Sequence, residues 1–371
     1  MIISRTPYRI SFFGGGTDYH TWYQEYGAAV FTTTINRYCY LHVRKLAPFF
    51  KCKSRVVWSI VEEINEHNDI QHPAVNAILK YLKIDNGIEI HHLGDLPARS
   101  GLGSSSAFSV GLLNALYALD GVMSSKRELA CEAIHVERNI LNESVGVQDQ
   151  IETAYGGLNR IGIQPNGDFD VSPVILPVEK LQSFQDHLLL FFTGVSRTAS
   201  DIAAEKIKAI PNKKLELHAI RAMVDESIKI LVENRDIKDF GRLLHESWMM
   251  KRQIAPSISP TYIDDIYTAA RKAGALGGKL LGAGGGGFML FFVEPENKMQ
   301  VCKALDNLLL VPFEFERSGS QIIFYENTHY SNMAMTRRDY RHLHDESSNN
   351  DLIQNRLRLQ HLIEVKALDE N

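Results

Sequence analysis

The stretch LPARSGLGSSSAFSVGLLNALYAL, Leu96 to Leu119, sets glycines and serines directly before a long apolar run. The run predicts a helix, and Gly101 and Gly103 permit backbone geometry closed to other residues. A helix N-terminus has unpaired N–H groups and a partial positive charge, so it can bind a phosphate. The hydroxyls of Ser104 to Ser106 suit a phosphate oxygen or Mg²⁺ equally. Taken alone, the stretch is also compatible with an N-cap serine beside flexible neighbours.

The length and composition of the chain limit its function. Its 371 residues suffice for about two domains, and a net charge of -4 gives no basic surface for nucleic acid or an anionic membrane. The four cysteines show neither CxxC spacing nor clustering, which argues against a zinc site or a disulfide framework. No apolar run approaches the roughly 18 residues of a membrane span. We therefore expect a cytoplasmic protein that binds small molecules, and neither nucleic acid nor membrane.

The composition along the chain indicates three parts. Residues 1–185 begin with strand-like runs separated by glycine-rich breaks, and a change in composition precedes the buried strand expected in DHLLLFFTG. Residues 186–328 continue with three helical segments and a glycine turn between two strand-like runs. Residues 329–371 are polar, and we treat them as an extension of undetermined order.

A second glycine cluster, GAGGGGF, runs from Gly282 to Phe288 and formally satisfies GxGxxG. A dinucleotide-binding motif must open a helix, whereas the strand-like FMLFFV follows here, and this excludes a Rossmann interpretation. A Walker A loop is excluded because the required lysine is absent. Two interpretations remain, a glycine-rich hairpin or a tight turn against a ligand or the first phosphate loop.

A third cluster, RISFFGGGTDYHTWY from Arg9 to Tyr23, sets a cation, three glycines and a carboxylate after a strand. Asp18 could accept hydrogen bonds from vicinal hydroxyls of a sugar. A lone aspartate after glycines is more often a turn residue, so both roles stay open for Asp18.

In this order the three clusters resemble the motifs of the GHMP kinase superfamily, named for galacto-, homoserine, mevalonate and phosphomevalonate kinases. PARSGLGSSSA, from Pro97 to Ala107, fits the family form PxxxGLGSSxA throughout, and RISFFGGGTD and KLLGAGGGG are similar to the first and third motifs. The resemblance covers about residues 1–325. It implies an α+β fold of two lobes, a ribosomal-protein-S5-like N-terminal lobe that binds ATP and a ferredoxin-like C-terminal lobe, with the active site between them.

The resemblance also implies cofactors and roles within the first phosphate loop. ATP is expected to place its phosphates on the turn, with Ser105 near Mg²⁺. The residues assigned to the nucleotide in this way are Pro97, Gly101, Leu102, Gly103, Ser104, Ser105 and Ser106.

The segment HVERNILNESVGVQDQIETAYGG resembles the galactokinase-like members, where GxxDQ carries the catalytic aspartate and an upstream helical glutamate binds Mg²⁺. Carried over, Asp149 is the base and Glu137 is the metal ligand. Arg9 is the cation expected to hold Asp149 ionised and to offset charge on the transferred phosphoryl group. Phosphoryl transfer asks a protein mainly for positioning and charge neutralisation, which these residue types supply.

The sequence differs from galactokinases at two positions that bear on the acceptor. Galactokinases have Glu and His where this chain has Gly15 and Gly16. The missing side chains leave space for a different or bulkier acceptor. GGGTD, together with LLHESWMMKRQIAPSISPTYIDDIYTAARKAGALGGKLLGAGGGGF, resembles the bacterial D-glycero-D-manno-heptose 7-phosphate kinases. That resemblance implies phosphorylation of the anomeric hydroxyl of a sugar phosphate. The residues expected on the acceptor side are Gly15, Gly16, Thr17, Asp18, Gly284 and Gly285.

A phosphorylated acceptor calls for a cation away from the ATP loop. Arg197 is the first candidate, with Ser196 as an added hydroxyl, and Lys251 and Arg252 follow. For each of them, surface charge is the alternative. Two rival functions stay open, a kinase of a neutral or fucose-like sugar and a binding protein that has lost catalysis. The sequence does not fix the oligomeric state, and a homodimer is one option.

Overall fold

Two β-sheets with helices packed on them make up the part of the chain that the computed structural model describes, residues 1–47, 50–98, 100–195, 199–233 and 235–326. The strands are β1 (Ile2–Phe13), β2 (Ala28–Lys45), β3 (Ser54–Val57), β4 (Val61–Ile64), β5 (Ile88–Gly94), β6 (Leu158–Ile163), β7 (Phe169–Pro173), β8 (Leu188–Phe192), β9 (Ala275–Leu280), β10 (Phe288–Val293), β11 (Leu309–Leu310), β12 (Phe315–Glu316) and β13 (Gln321–Tyr325). The helices are α1 (His20–Tyr26), α2 (Pro73–Tyr81), α3 (Ser104–Leu119), α4 (Lys126–His135), α5 (Gln148–Tyr155), α6 (Val178–Asp186), α7 (Ala199–Ala209), α8 (Lys214–Val232), α9 (Lys238–Arg252), α10 (Thr261–Lys272) and α11 (Lys298–Ala304).

The first sheet is organised around β1 and β2, which pair antiparallel along most of their lengths. Its strand order is β13-β1-β2-β5-β3-β4, with β6 and β12 also paired to β2 and β7 paired to β6. β1 is buried nearly throughout, as expected for a strand covered on both faces. It ends at Phe13, directly before the glycine turn of the third cluster.

The helix predicted after the glycine and serine cluster is confirmed as α3, and 13 of its 16 residues are buried. A helix that is apolar on all sides belongs inside the protein. Gly111 lets α3 approach β1 closely, because a Cβ there would lie 2.8 Å from the Thr6 Oγ1. This close packing fixes where the N-terminus of α3 points.

The second sheet has the strand order β11-β8-β10-β9. β9 and β10 pair antiparallel, with Leu280 opposite Met289, so the GAGGGG cluster is a turn between two strands. The exclusion of a Rossmann motif is thereby confirmed. α9 packs on β9 through two glycines, since a Cβ at Gly277 would lie 2.0 Å from the Gly241 carbonyl oxygen.

The chain returns to the first sheet at its described end, where β12 pairs with β2 and β13 pairs with β1. The lobe boundaries at residues 185 and 328 stay predictions, and the 329–371 extension lies outside the described residues. No helix in the described part of the chain is both long and apolar enough to cross a membrane. All four cysteines are free thiols.

Candidate active site

A cavity of about 420 Å³ opens where the glycine turns of the two sheets meet. Its walls come from β1, the N-terminus of α3, the segment before α5, α9 and the end of β9. The sequence analysis placed its catalytic, phosphate-binding and acceptor residues in these segments. The structure therefore brings most of the candidate residues to one place.

The phosphate loop forms one wall of this cavity. Gly101 and Gly103 have φ of 84° and 74°, in the left-handed region that favours glycine. Gly103 caps α3, and the serines from Ser104 to Ser106 line the cavity at the first turn of the helix. Two residues assigned to ATP from the family motif lie off this wall: Leu102 is fully buried in the core and Pro97 is exposed.

We expect Gly101→Ala to distort the turn before α3 and to abolish activity, because the added Cβ would lie 2.7 Å from the carbonyl oxygen of Leu281, the residue directly after β9. Gly121 is a matched control. It has φ of 74°, but no described atom beyond its chain neighbours lies within 4 Å of the added Cβ. Gly121→Ala should cost about 1 kcal/mol of backbone strain and keep activity. Thermal melting and phosphoryl-transfer assays of both variants measure this, and equal activity in the two would refute the contact.

Arg9 and Asp149 both line the cavity and form a bidentate ion pair. Arg9 Nε lies 2.7 Å from Asp149 Oδ1, and Arg9 Nη2 lies 2.6 Å from Asp149 Oδ2. The third donor, Arg9 Nη1, reaches the Gly101 carbonyl oxygen at 2.7 Å. Arg9 thus ties the carboxylate at the start of α5 to the phosphate loop, in the fork geometry that suits arginine.

Glu137 is fully buried at the back of the same cavity, in a π-helical turn that continues α4. Its Oε2 accepts hydrogen bonds from Ser106 Oγ, at 3.0 Å, and from the Gln150 amide. Its Oε1 accepts none from the residues that the structure describes. Burial raises the pKa of Glu137 to about 7, a rise that neighbouring hydroxyl and amide donors oppose only in part.

This arrangement fits Mg²⁺, which takes oxygen ligands from one or two carboxylates and completes its shell with water and substrate phosphates. A cation at Glu137 Oε1 would supply the partner which that buried oxygen lacks. Ser105, assigned to the metal from the family motif, is exposed on the cavity wall, whereas its neighbour Ser106 contacts Glu137. No cluster of three or more acidic, His or Cys side chains that could hold a metal ion occurs in the described ranges.

Of the residues expected on the acceptor side, Gly15, Gly16 and Asp18 line the cavity. The Asp18 Oδ1 accepts the Gly16 N–H at 2.9 Å, so Asp18 shapes the glycine turn as well as facing the cavity. Thr17, expected on the acceptor side, is fully buried behind the lining. Its Oγ1 donates to the Gly14 carbonyl oxygen at 2.8 Å, which makes it a turn residue.

Gly284 and Gly285, also expected on the acceptor side, lie away from the cavity wall. A Cβ at Gly284 would lie 2.7 Å from the Ile258 Cα, and the Gly285 N–H donates to the Ile258 carbonyl oxygen. The turn packs there because only glycine allows so close an approach of two backbones. Gly282 and Ala283 take the lining positions instead.

The three cations predicted to bind the acceptor phosphate differ in where they lie. Lys251 lines the cavity and is only 5% exposed. Arg252 points elsewhere and pairs with Asp264 at 2.6 Å. Arg197 and Ser196 lie outside the described residues.

Sequence reasoning gave no role to several residues that line the cavity, among them Ser11, Tyr19, Gln148 and Lys279. Ser11 follows Arg9 by two positions on a strand, so the period of two would have placed both on one face. Gln148 directly precedes Asp149. No local pattern marked Lys279, which the third motif contains without a role.

The cavity combines the N-terminus of a helix, a buried carboxylate and a second carboxylate held by an arginine, at the junction of two β-sheets that carry helices. This combination is typical of enzymes that transfer phosphoryl groups. Residues 68–157 match the family description GHMP kinases N terminal domain, and residues 228–308 match GHMP kinases C terminal.

The chain is 30% identical over 331 residues to the D-glycero-alpha-D-manno-heptose 7-phosphate kinase of Campylobacter jejuni, with 86% of this chain and 97% of that protein covered. The chain belongs to the GHMP kinases, which use ATP as phosphate donor, and it is a sugar kinase.

Solved structures show the same fold. A D-glycero-D-manno-heptose 1-phosphate kinase from Bacteroides thetaiotaomicron matches with a TM-score of 0.71 and 24% identity, covering 86% of this chain and 98% of that one. The Lactococcus lactis galactokinase complexed with galactose matches with a TM-score of 0.65 and 19% identity, covering 86% and 94%. The two-lobed α+β fold expected from the sequence is thereby confirmed.

Proposed function

We propose that this protein transfers the γ-phosphoryl group of ATP to the anomeric hydroxyl of D-glycero-D-manno-heptose 7-phosphate, giving the 1,7-bisphosphate. The observation that carries this proposal is the Arg9–Asp149 pair, which lies between the phosphate loop and a glycine-lined end of the cavity. The name of the Campylobacter relative supports the same acceptor.

In the proposed reaction, Asp149 takes the proton of the anomeric hydroxyl. The freed oxygen forms a bond to the γ-phosphorus, the bond to the bridging oxygen breaks, and ADP leaves. Among the described groups, Asp149 Oδ1 accepts two hydrogen bonds and Oδ2 accepts one, so Oδ2 keeps a lone pair for the proton. Gly103 leaves this oxygen open towards the loop, since a Cβ there would lie 3.6 Å from it.

The α3 N-terminus binds the phosphates of ATP through backbone N–H groups and the hydroxyls of Ser104 and Ser105. Glu137 and Ser106 are the residues that would hold Mg²⁺. When bound there, Mg²⁺ would neutralise phosphate charge. Arg9 adds a fixed positive charge beside the developing transition state.

Two buried lysines support an acceptor that carries its own phosphate. Lys251 Nζ donates to the carbonyl oxygens of Leu280 and Gly282, each at 2.8 Å, and Lys279 Nζ donates to the Phe12 carbonyl oxygen at 2.8 Å. Both line the cavity and are no more than 5% exposed. Two ammonium groups on the wall of the cavity would attract an anionic ligand such as a phosphate.

The test is a panel of acceptor sugars combined with Lys251→Met. We expect the wild type to prefer heptose 7-phosphate over neutral heptose, galactose and fucose. Lys251→Met should raise the KM for heptose 7-phosphate by about tenfold or more, the value of a lost charged hydrogen bond, and leave the KM for ATP unchanged. Lys238→Met is the control, because Lys238 is partly exposed and pairs with Glu294 outside the cavity. A wild type that prefers a neutral sugar contradicts the proposed acceptor.

A further inference from the structure

Asp149 has a second support besides Arg9, and the sequence analysis gave no role to the two residues that provide it. The Gln148 Nε2 donates to Asp149 Oδ1 at 3.1 Å, and Ser11 Oγ donates to Gln148 Oε1 at 2.8 Å. Ser11 is 5% exposed, Gln148 is 3% exposed, and both line the cavity. The three side chains form a short chain that begins on β1 and ends at the carboxylate.

The direction of the hydrogen bonds in this chain follows from chemistry. A carboxylate only accepts hydrogen bonds, so the amide nitrogen of Gln148 faces Asp149 and its carbonyl oxygen faces Ser11. A carbonyl oxygen also only accepts, so the single hydroxyl proton of Ser11 is committed to Gln148. Ser11 can therefore only accept a hydrogen bond from a ligand in the cavity, and cannot donate one to it.

The surroundings of Ser11 leave that acceptor accessible to a sugar. Gly15, on the acceptor side, has no side chain, and an added Cβ would lie 3.5 Å from Ser11 Oγ. Ser11 lies two positions after Arg9 on β1, on the face that Arg9 also uses to reach Asp149. A sugar hydroxyl beside Gly15 would thus lie within reach of Ser11 while another hydroxyl faces Asp149.

We propose that Ser11 accepts a hydrogen bond from a hydroxyl group of the sugar acceptor, and that Ser11 and Gln148 together position Asp149. This inference rests on the proposed function, in which Asp149 takes the acceptor proton. Arg9 holds the carboxylate from one side and Gln148 holds it from the other, so Oδ2 stays aimed at the phosphate loop. A sugar that engages Ser11 strengthens the whole chain, because each donor in it becomes more polarised.

Four variants test the hydrogen-bonded chain of Ser11, Gln148 and Asp149, and each is assayed on the sugar that the wild type phosphorylates best. Gln148→Leu should lower kcat about tenfold and leave the KM for ATP unchanged. Gln148→Glu keeps an acceptor for Ser11 but sets a carboxylate against Asp149, so kcat should fall further while the sugar KM stays near wild type. Ser11→Ala should raise the sugar KM and lower kcat, and Ser11→Thr, which restores a hydroxyl, should recover both.

The double variant Ser11→Ala/Gln148→Leu tests whether Ser11 and Gln148 act on Asp149 together or independently. If the residues act together, its kcat is no lower than that of Gln148→Leu alone. Losses in kcat that multiply, or a Ser11→Ala enzyme with an unchanged sugar KM, overturn the inference. Thermal melting confirms that the near-isosteric Thr and Glu variants fold. The identity of the wild type's best sugar tests the proposed acceptor separately, since every variant is compared with the wild type on that same sugar.

Discussion

Asp149→Asn is expected to lower kcat by about 10² to 10⁴, the range for loss of a positioned general base. An amide cannot take the proton of the acceptor hydroxyl. Its nitrogen would also face the Arg9 guanidinium as a second donor, at a site where the carboxylate now accepts bonds of 2.6 and 2.7 Å. Steady-state ADP release with the preferred sugar measures this change.

The control for Asp149 is Asp168→Asn. Asp168 is an exposed carboxylate that pairs with Arg127 outside the cavity, so its loss should leave kcat near wild type. A melting temperature for Asp149→Asn close to that of the wild type separates lost chemistry from lost folding. Turnover within about threefold of wild type in Asp149→Asn, or in Asp149→Ala, would show that another group takes the proton.

The second large loss of activity is expected for Arg9→Met. Arg9 is buried, and its loss leaves Asp149 without its cation and the Gly101 carbonyl oxygen without its donor. We expect kcat/KM to fall by about 10² to 10³, as for the loss of one preorganised charge stabiliser. Arg9→Lys should recover only part of this, because an ammonium group cannot reproduce the bidentate fork.

Arg5→Met is the matched control for Arg9, since both arginines lie on β1. Arg5 donates to Gln321 at 2.9 Å and stacks over Tyr38 at 4.6 Å, away from the cavity. Its loss should affect stability slightly and leave kcat/KM unchanged. Comparable losses of kcat/KM in the two variants would mean that β1 itself, and not the Arg9 guanidinium, carries the effect.

The features that the sequence predicted well are formed by residues that lie close together in the sequence. A phosphate loop needs only glycines, serines and a following helix, and all of these lie between Gly101 and Leu119. The strand after the second glycine cluster was predicted from its own composition, and β10 confirms it. Arg9 and Asp149 are 140 positions apart, and only the resemblance to galactokinase-like enzymes linked them before the structure showed their contact.

The features that the sequence did not predict depend on how the two sheets meet. Lys279 comes from β9 and bonds to the end of β1, a contact between distant segments that no local pattern marks. The same junction turns Gly284 and Gly285 towards Ile258 and presents Gly282 to the cavity. The choice of Ser106 over Ser105 as the partner of Glu137 depends on which side of the first turn of α3 faces the buried glutamate.

By itself, then, the sequence determined the family, and it predicted the glycine and serine turn before α3 and the Arg9 and Asp149 pair as parts of the site, because residue type and spacing suffice for these. Only the tertiary structure decided which side chains share the cavity and which stay behind its wall. It alone shows that Ser11, from the first strand, donates a hydrogen bond to Gln148, which in turn donates to Asp149. The physical reason is that the direction of a side chain in a packed junction depends on every segment that meets there, and not on its neighbours in the chain.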